Sequence, residues 1–152
     1  MRRADRQAPE TESIAFLMRD TYNALARRFQ AELTRAGLTM SMWFFLRALA
    51  DRDGLAQRQL MEQAGLLQPA TSTALKQMEG MRLVTRKADP VDGRITRFHL
   101  THKARLLLAR LLPAAAGVRE RAVIDFTAGE LDTLRRLLRR MKANLERIEE
   151  PA

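Results

Sequence analysis

Between Val84 and Thr101 the chain reads VTRKADPVDGRITRFHLT, and this stretch restricts the fold more than any other. Val84 to Lys87 can extend, and Ala88-Asp89-Pro90-Val91-Asp92-Gly93 supplies turn chemistry. Thr96, Phe98 and Leu100 then recur with period two, which places them on one face of a returning strand. The result is a two-stranded ribbon too short to be a domain. Arg94 and Arg97 flank its turn. A ribbon of this kind acts through what its tip reaches, and two arginines favour phosphate or a narrow minor groove.

Everything around the ribbon reads as helix. Residues 1–10 form a basic arm with no regular pattern. From Thr11 to about Ala36, Ile14, Met18, Leu25, Phe29 and Leu33 recur at spacings of four and seven, and Gly37 ends that helix. Thr39 caps a second helix, Met40 to Asp51, whose Trp43, Phe44, Phe45, Leu46 and Leu49 make it apolar nearly all round. It therefore belongs in the middle of the fold. Asp53-Gly54 is a turn, and residues 57–64 make a short helix stopped by Gly65. After a tight connection, Pro69 lies in the first turn of the next helix. There Thr71, Ala74, Leu75 and Met78 follow the i, i+3, i+4, i+7 pattern and face inward, while Ser72, Thr73, Lys76 and Gln77 fall on the other side. Two short helices followed by a basic hairpin is the order of a winged helix-turn-helix.

Thr101 caps a helix running to about Ile124, with Pro113 inside it as a kink. Thr127-Ala128-Gly129-Glu130 is a capping box opening the last helix. Leu131, Leu134, Leu138, Met141, Leu145 and Ile148 then alternate spacings of three and four, a seam sustained for nearly three heptads. Such a seam needs a partner, either the first helix of the same chain or a second copy, and the two long apolar ends together favour a dimerisation bundle. Arg135, Arg136, Arg139, Arg140 and Lys142 read as the solvated side of this helix rather than a membrane surface, since Glu130, Asp132, Glu146, Glu149 and Glu150 offset them. The expected fold class is mainly α: a winged helix-turn-helix with a small β-hairpin wing, and N- and C-terminal helices forming a dimerisation bundle. Residues 11–36 and 101–150 would be the dimerisation helices and 37–100 the DNA-binding lobe, in one compact domain overall.

Composition removes several classes of chemistry. The chain holds 152 residues and no cysteine, so disulfides and thiol-based sites are excluded. His99 and His102 are its only histidines, which argues against a histidine metal cluster. No metal or cofactor is expected. The first ten residues lack an apolar core behind their arginines, and no apolar run reaches membrane-spanning length. The expectation is a soluble cytoplasmic protein with no membrane partner. Of the net charge of +9, +6 falls within residues 58–110. That concentration is an electrostatic footprint for a polyanion rather than an evenly solvated surface. Catalysis finds no support: there is no glycine-rich phosphate loop, and the carboxylate pairs Asp51/Asp53 and Asp89/Asp92 lie in turns without an accompanying histidine.

The order of elements and the local sequence resemble the MarR family of bacterial transcriptional regulators (multiple-antibiotic-resistance regulators) from about residue 12 to 148. Leu38-Thr39 with Trp43 and Leu46-Arg47-Ala48-Leu49 is similar to the family's second helix. Leu60 to Gly65 and Pro69 to Met78 are similar to its helix-turn-helix. Asp89-Pro90-Val91-Asp92-Gly93-Arg94 followed by Leu100-Thr101 is similar to its wing. Leu112-Pro113-Ala114-Ala115 and the Thr127 capping box match its C-terminal helices. Four positions depart from the pattern: Thr73 stands for a frequent arginine, Arg82 for a glycine (with Gly80 expected to supply the slack), Ala56 for a hydroxyl cap and Ala104 for a glycine.

The resemblance implies a homodimer on a pseudo-palindromic double-stranded DNA operator, acting as a repressor released by a small, often aromatic, ligand. The helix from Pro69 to Met81 would enter the major groove. Gln77 would meet adenine, Lys76 phosphate or guanine, Ser72 and Thr73 base edges or phosphates, and Gln68 and Pro69 a phosphate at the helix N-terminus. Arg94 would enter the minor groove, with Asp92 pairing to fix its direction, and Arg97, Arg86 and Lys87 would contact the backbone. Met18, Tyr22, Met42, Trp43 and Phe45 would line a ligand pocket, with Arg19 or Arg47 for a carboxylate. The same aromatic residues read equally well as ordinary core. Leu131, Leu134, Leu138, Met141 and Leu145 would hold the dimer. The competing readings are a ligand-insensitive architectural DNA-binding protein and a helical adaptor that does not bind DNA.

Overall fold

The computed structural model describes residues 13–65 and 68–147. The expected N-terminal arm, Thr11, the Leu66-Leu67 connection and Ile148 lie outside them. The described residues form six helices and three strands. The chain divides after Val118 into two compact units.

In the first unit, α1 (Ile14–Arg35) opens on Ser13, whose hydroxyl accepts the Phe16 N–H. It closes where Gly37, at φ +69°, lets the Leu38 N–H reach back to the Leu33 carbonyl. α2 (Met40–Asp51) starts behind Thr39, which accepts from the Met42 N–H, and buries Met42, Trp43, Phe45, Leu46 and Leu49. Its apolar circumference makes it the central helix, and the Trp43 ring packs edge-on against Phe29 of α1 at 4.9 Å. Burying each such large side chain contributes about 1.5–3 kcal/mol.

β1 (Leu55–Ala56), α3 (Gln57–Ala64) and α4 (Gln68–Gly80) follow. β1 was not anticipated from the sequence, because two residues carry no periodicity. It pairs with the returning strand of the hairpin, Leu55 opposite Phe98, so the sheet has three antiparallel strands in the order β1-β3-β2. β2 (Val84–Ala88) and β3 (Thr96–Leu100) pair in register from Val84 opposite Leu100 to Ala88 opposite Thr96. Phe98 and Leu100 point into the core, whereas Thr96, nearer the tip, is exposed.

The turn from α4 into β2 departs from the expected arrangement. Gly80 does not take a left-handed conformation; Arg82 does, at φ +58°. Its N–H reaches the Glu79 carbonyl and the Leu83 N–H reaches that of Met78, which closes the helix end with both Leu83 and Met78 fully buried. The geometry demands a left-handed residue two positions after Gly80, so glycine at 80 cannot substitute for it. Thr101 then locks the joint: its hydroxyl donates to the Arg82 carbonyl at 2.8 Å and accepts the Ala104 N–H as the cap of α5 (His102–Ala122). Ala104 is completely buried, which explains a small side chain there.

In the second unit, Thr127 and Glu130 satisfy each other's backbone N–H groups at the start of α6 (Ala128–Glu146). These bonds, with the Thr127 hydroxyl, hold the Glu130 carboxyl below its usual range.

Candidate nucleic-acid interface

α4 divides cleanly into two faces. Thr71, Ala74, Leu75 and Met78 are buried, and Ser72, Thr73, Lys76 and Gln77 are exposed, as the spacing predicts. Gln68 and Pro69 are exposed at the helix start. The apolar face packs on α2 and α3, so the polar face is held out by the core rather than by its own contacts. One of its members is tethered: Gln57, at the first position of α3, donates from Nε2 to the Ser72 Oγ at 2.6 Å. That bond uses the hydroxyl as acceptor and leaves its hydrogen free to donate to a ligand.

The wing is organised by Asp89, which the sequence marks only as turn material. Asp89 is buried, and its Oδ1 accepts the N–H groups of Val91 at 2.7 Å and Asp92 at 2.9 Å. Its Oδ2 accepts from Arg97 Nε, and Arg97 Nη1 also donates to the Gly54 carbonyl at 2.8 Å. The N–H groups of Asp92 and Val91, followed by Arg97, hold the Asp89 carboxyl below its ordinary range. The turn role of Asp89 is legible from its neighbours, whereas its bond to Arg97, eight residues on, is not.

Two expected roles change as a result. Arg97 was expected to touch the DNA backbone, but its guanidinium is committed inside the chain between Asp89 and Gly54. Asp92 was expected to aim the Arg94 guanidinium, but its Oδ1 accepts the Arg94 backbone N–H at 3.0 Å. It shapes the turn instead. Arg94 is exposed and makes no side-chain ion pair among the described residues.

Arg86, also expected to face a nucleic-acid backbone, is turned the other way. It pairs with Glu79 at 2.6 Å and lies 5.7 Å over the Phe98 ring, tying β2 to the end of α4. Lys87 is exposed. Asp53 does have a histidine beside it, contrary to expectation. Its Oδ2 lies 3.3 Å from both His99 Nδ1 and Arg105 Nη2, and its Oδ1 accepts the Leu100 N–H. These bonds link the loop before β1 to β3 and α5.

The expected ligand pocket is not assembled from the residues named for it. Met42, Trp43 and Phe45 are packed in the core, Phe45 with no exposure at all, so they fill space rather than line it. Met18 and Tyr22 are exposed on α1. Arg47 lies 3.8 Å from Asp51, and Arg19 pairs with Asp20 beside the Phe16 ring. In the second unit no described residue of α6 is buried: Leu134, Leu138 and Leu145 are exposed, and Leu131 and Met141 are half-buried. The expected stripe is thus present on α6, exposed or half-buried throughout its described residues. No described helix is long and apolar enough to cross a membrane. No group of three potential metal ligands occurs among the described residues.

Comparison with known proteins agrees with this arrangement. The MarR family model matches residues 36–95, from the end of α1 through the wing tip. The transcriptional regulator HosA of Escherichia coli O111:H- is 30% identical over 124 residues, 82% of this chain and 90% of that protein. A MarR family regulator from Silicibacter pomeroyi superposes with a TM-score of 0.78 at 28% identity, over 86% of this chain and 88% of that one. The transcriptional repressor Rv2887 of Mycobacterium tuberculosis is 26% identical over 84% of this chain and 92% of its own. Its structure was solved with salicylic acid and superposes with a TM-score of 0.67, over 89% of this chain and 97% of that one.

Proposed function

Because the chain belongs to the MarR family and is a transcriptional regulator of that type, we propose that it is a homodimeric repressor of a pseudo-palindromic DNA operator, released by a small organic acid. The observation that carries the DNA reading is the division of α4. Four polar side chains stand out from a helix whose other face is locked in the core, beside a wing whose Arg94 makes no ion pair among the described residues. In the major groove, Gln77 is suited to adenine, Lys76 to guanine or phosphate, and Ser72 and Thr73 to base edges. Arg94 enters the adjacent minor groove.

A second copy is supported by the apolar seam of α6 and by Ile14, Leu17, Met18 and Tyr22 exposed on α1. Residues 37–100 then act as the DNA-binding lobe, and 11–36 with 101–150 as the dimerisation helices. Two recognition helices about one DNA turn apart read the two halves of a palindrome. The ligand part of the reading is supported by relatives such as Rv2887, solved with salicylic acid.

The test is a gel-shift titration of the protein on its own upstream region and on random DNA at physiological salt. Tight, selective binding that Arg94→Ala weakens strongly without dissociating or unfolding the dimer supports the assignment. Equal affinity for random DNA would favour an architectural protein, and no binding to either would favour a helical adaptor.

A further inference from the structure

We propose that Gln57 determines part of the DNA sequence preference, by positioning the Ser72 hydroxyl on the recognition helix. The bond between them makes Ser72 a donor, so α4 reads a keto base, guanine or thymine, at that point of the groove. The proposal rests on the DNA-binding reading above and adds to it a residue from outside the recognition helix. Gln57 Nε2 donates to Ser72 Oγ at 2.6 Å, across 15 positions of sequence. A serine hydroxyl left to itself rotates, and it serves donors and acceptors on base edges alike. Ser72 is exposed, so its hydroxyl takes its direction from this bond rather than from packing.

The Gln57 end of the bond is itself held in place. Leu55, just before α3, is buried opposite Phe98, and the Ala56 N–H donates to Gln59 Oε1 at 2.9 Å. Leu60 of α3 and Leu75 of α4 are both buried in one core, which fixes the two helices against each other. Gln57 is half-buried, while its neighbour Arg58 is exposed and pairs along its own helix with Glu62. The first turns of α3 and α4 hold no acidic residue that would take the hydroxyl hydrogen instead. The Nε2–H occupies an Oγ lone pair on the α3 side, so the hydroxyl hydrogen lies on the other side, toward solvent. Accepting one hydrogen bond also polarises the O–H and strengthens it as a donor.

In the major groove guanine presents O6 and thymine O4 as acceptors, whereas cytosine and adenine present amino hydrogens. An outward O–H is satisfied by a keto oxygen and left facing a second donor by an amino group. Glutamate at position 57 reverses the polarity. Its carboxylate accepts the Ser72 hydrogen, only lone pairs then face the groove, and an amino-bearing base becomes the better partner. A carboxylate at the first position of a helix also suits the helix dipole, so the fold is kept.

Selection from a pool of random-sequence duplexes by the full chain and its variants, read by sequencing, tests the pair. The parent should enrich guanine or thymine at a base pair where Ser72→Ala relaxes the preference. At that pair Gln57→Glu should shift the ratio of bases by about fivefold or more toward adenine or cytosine, and Gln57→Leu should flatten it. In a Ser72→Ala background, Gln57→Glu should change nothing there, while its added charge lowers affinity evenly for all sequences. Should the glutamate variant fail to fold, Gln57→Leu decides: a flattened preference supports the proposal and an unchanged one overturns it. A parental preference in both Gln57 variants overturns the proposal and leaves the DNA reading standing. Weakening that is even across all sequences in both variants overturns it too, since Gln57 then holds phosphate or merely supports the fold. A parent that enriches no sequence overturns the DNA reading and the proposal together.

Discussion

Arg97 and Asp89 close the base of the wing against the rest of the fold. The guanidinium of one joins the carboxylate of the other to the Gly54 carbonyl, in the loop that precedes β1. The two strands of the wing are thereby tied to a third, and the division of labour between the two arginines follows from it.

Arg97→Ala should lower stability, by at least about 1 kcal/mol from the Gly54 bond alone. Arg94→Ala should leave the melting temperature unchanged and weaken operator binding about tenfold or more. Thermal unfolding and gel shift measured on both variants separate the roles. An Arg97→Ala variant as stable as the parent would show that the tie contributes nothing.

Asp89 also predicts a pH dependence. Its folded carboxyl titrates below the ordinary aspartate value of 3.8, so the unfolded chain takes up a proton first as pH falls. The stabilisation is therefore present above that value and is lost as pH drops through the folded one. Asp89→Asn should be less stable than the parent at neutral pH, and the difference should shrink as the pH is lowered below about 4. Melting temperatures of both proteins across an acid series check the sign.

Neighbouring residues of α4 should behave oppositely. Leu75→Ala should cost about 2–5 kcal/mol, because Leu75 is buried in the core. Lys76→Ala should change stability by no more than about 0.5 kcal/mol and reduce DNA affinity and its salt dependence. Chemical denaturation combined with binding at two salt concentrations measures both.

At Arg82, replacement by glycine relieves the left-handed backbone but adds freedom to the unfolded chain. The expected net effect is a gain of up to about 1 kcal/mol. Arg82→Val, branched next to the backbone, should instead lose about 1–2 kcal/mol. Urea midpoints rank the three proteins.

For the seam, Leu134→Glu together with Leu138→Glu should convert a dimer into a monomer in sedimentation. The helix itself is kept, since both side chains are exposed in the single chain. A dimer that persists would place the second copy elsewhere.

Much of this molecule was legible in the order of its residues. The Thr39 cap, the helix stop at Gly65, the four buried positions of α4 and the Thr127 box depend on neighbours a few residues away, and local rules reach that far. What escaped depends on residues distant in sequence. β1 exists only because Phe98 lies opposite Leu55. Asp53 meets His99 and Arg105 across 46 and 52 positions. Arg97 was read as a surface cation because nothing near it announces the Gly54 carbonyl. Met42, Trp43 and Phe45 show the same limit in reverse: an aromatic cluster does not reveal whether it surrounds space or fills it.

The left and right ends of the hairpin therefore live under different constraints. Where Arg97 meets Asp89 and Gly54 the ribbon is clamped, and beyond Ala88 and Thr96 it projects like a cantilever, with Val91 95% exposed. Changes of length or charge beyond the clamp transmit little strain to the core, because loop extension is thermodynamically mild. A lineage of such chains can revise which groove the free end suits while the anchored end keeps the fold indifferent to the revision.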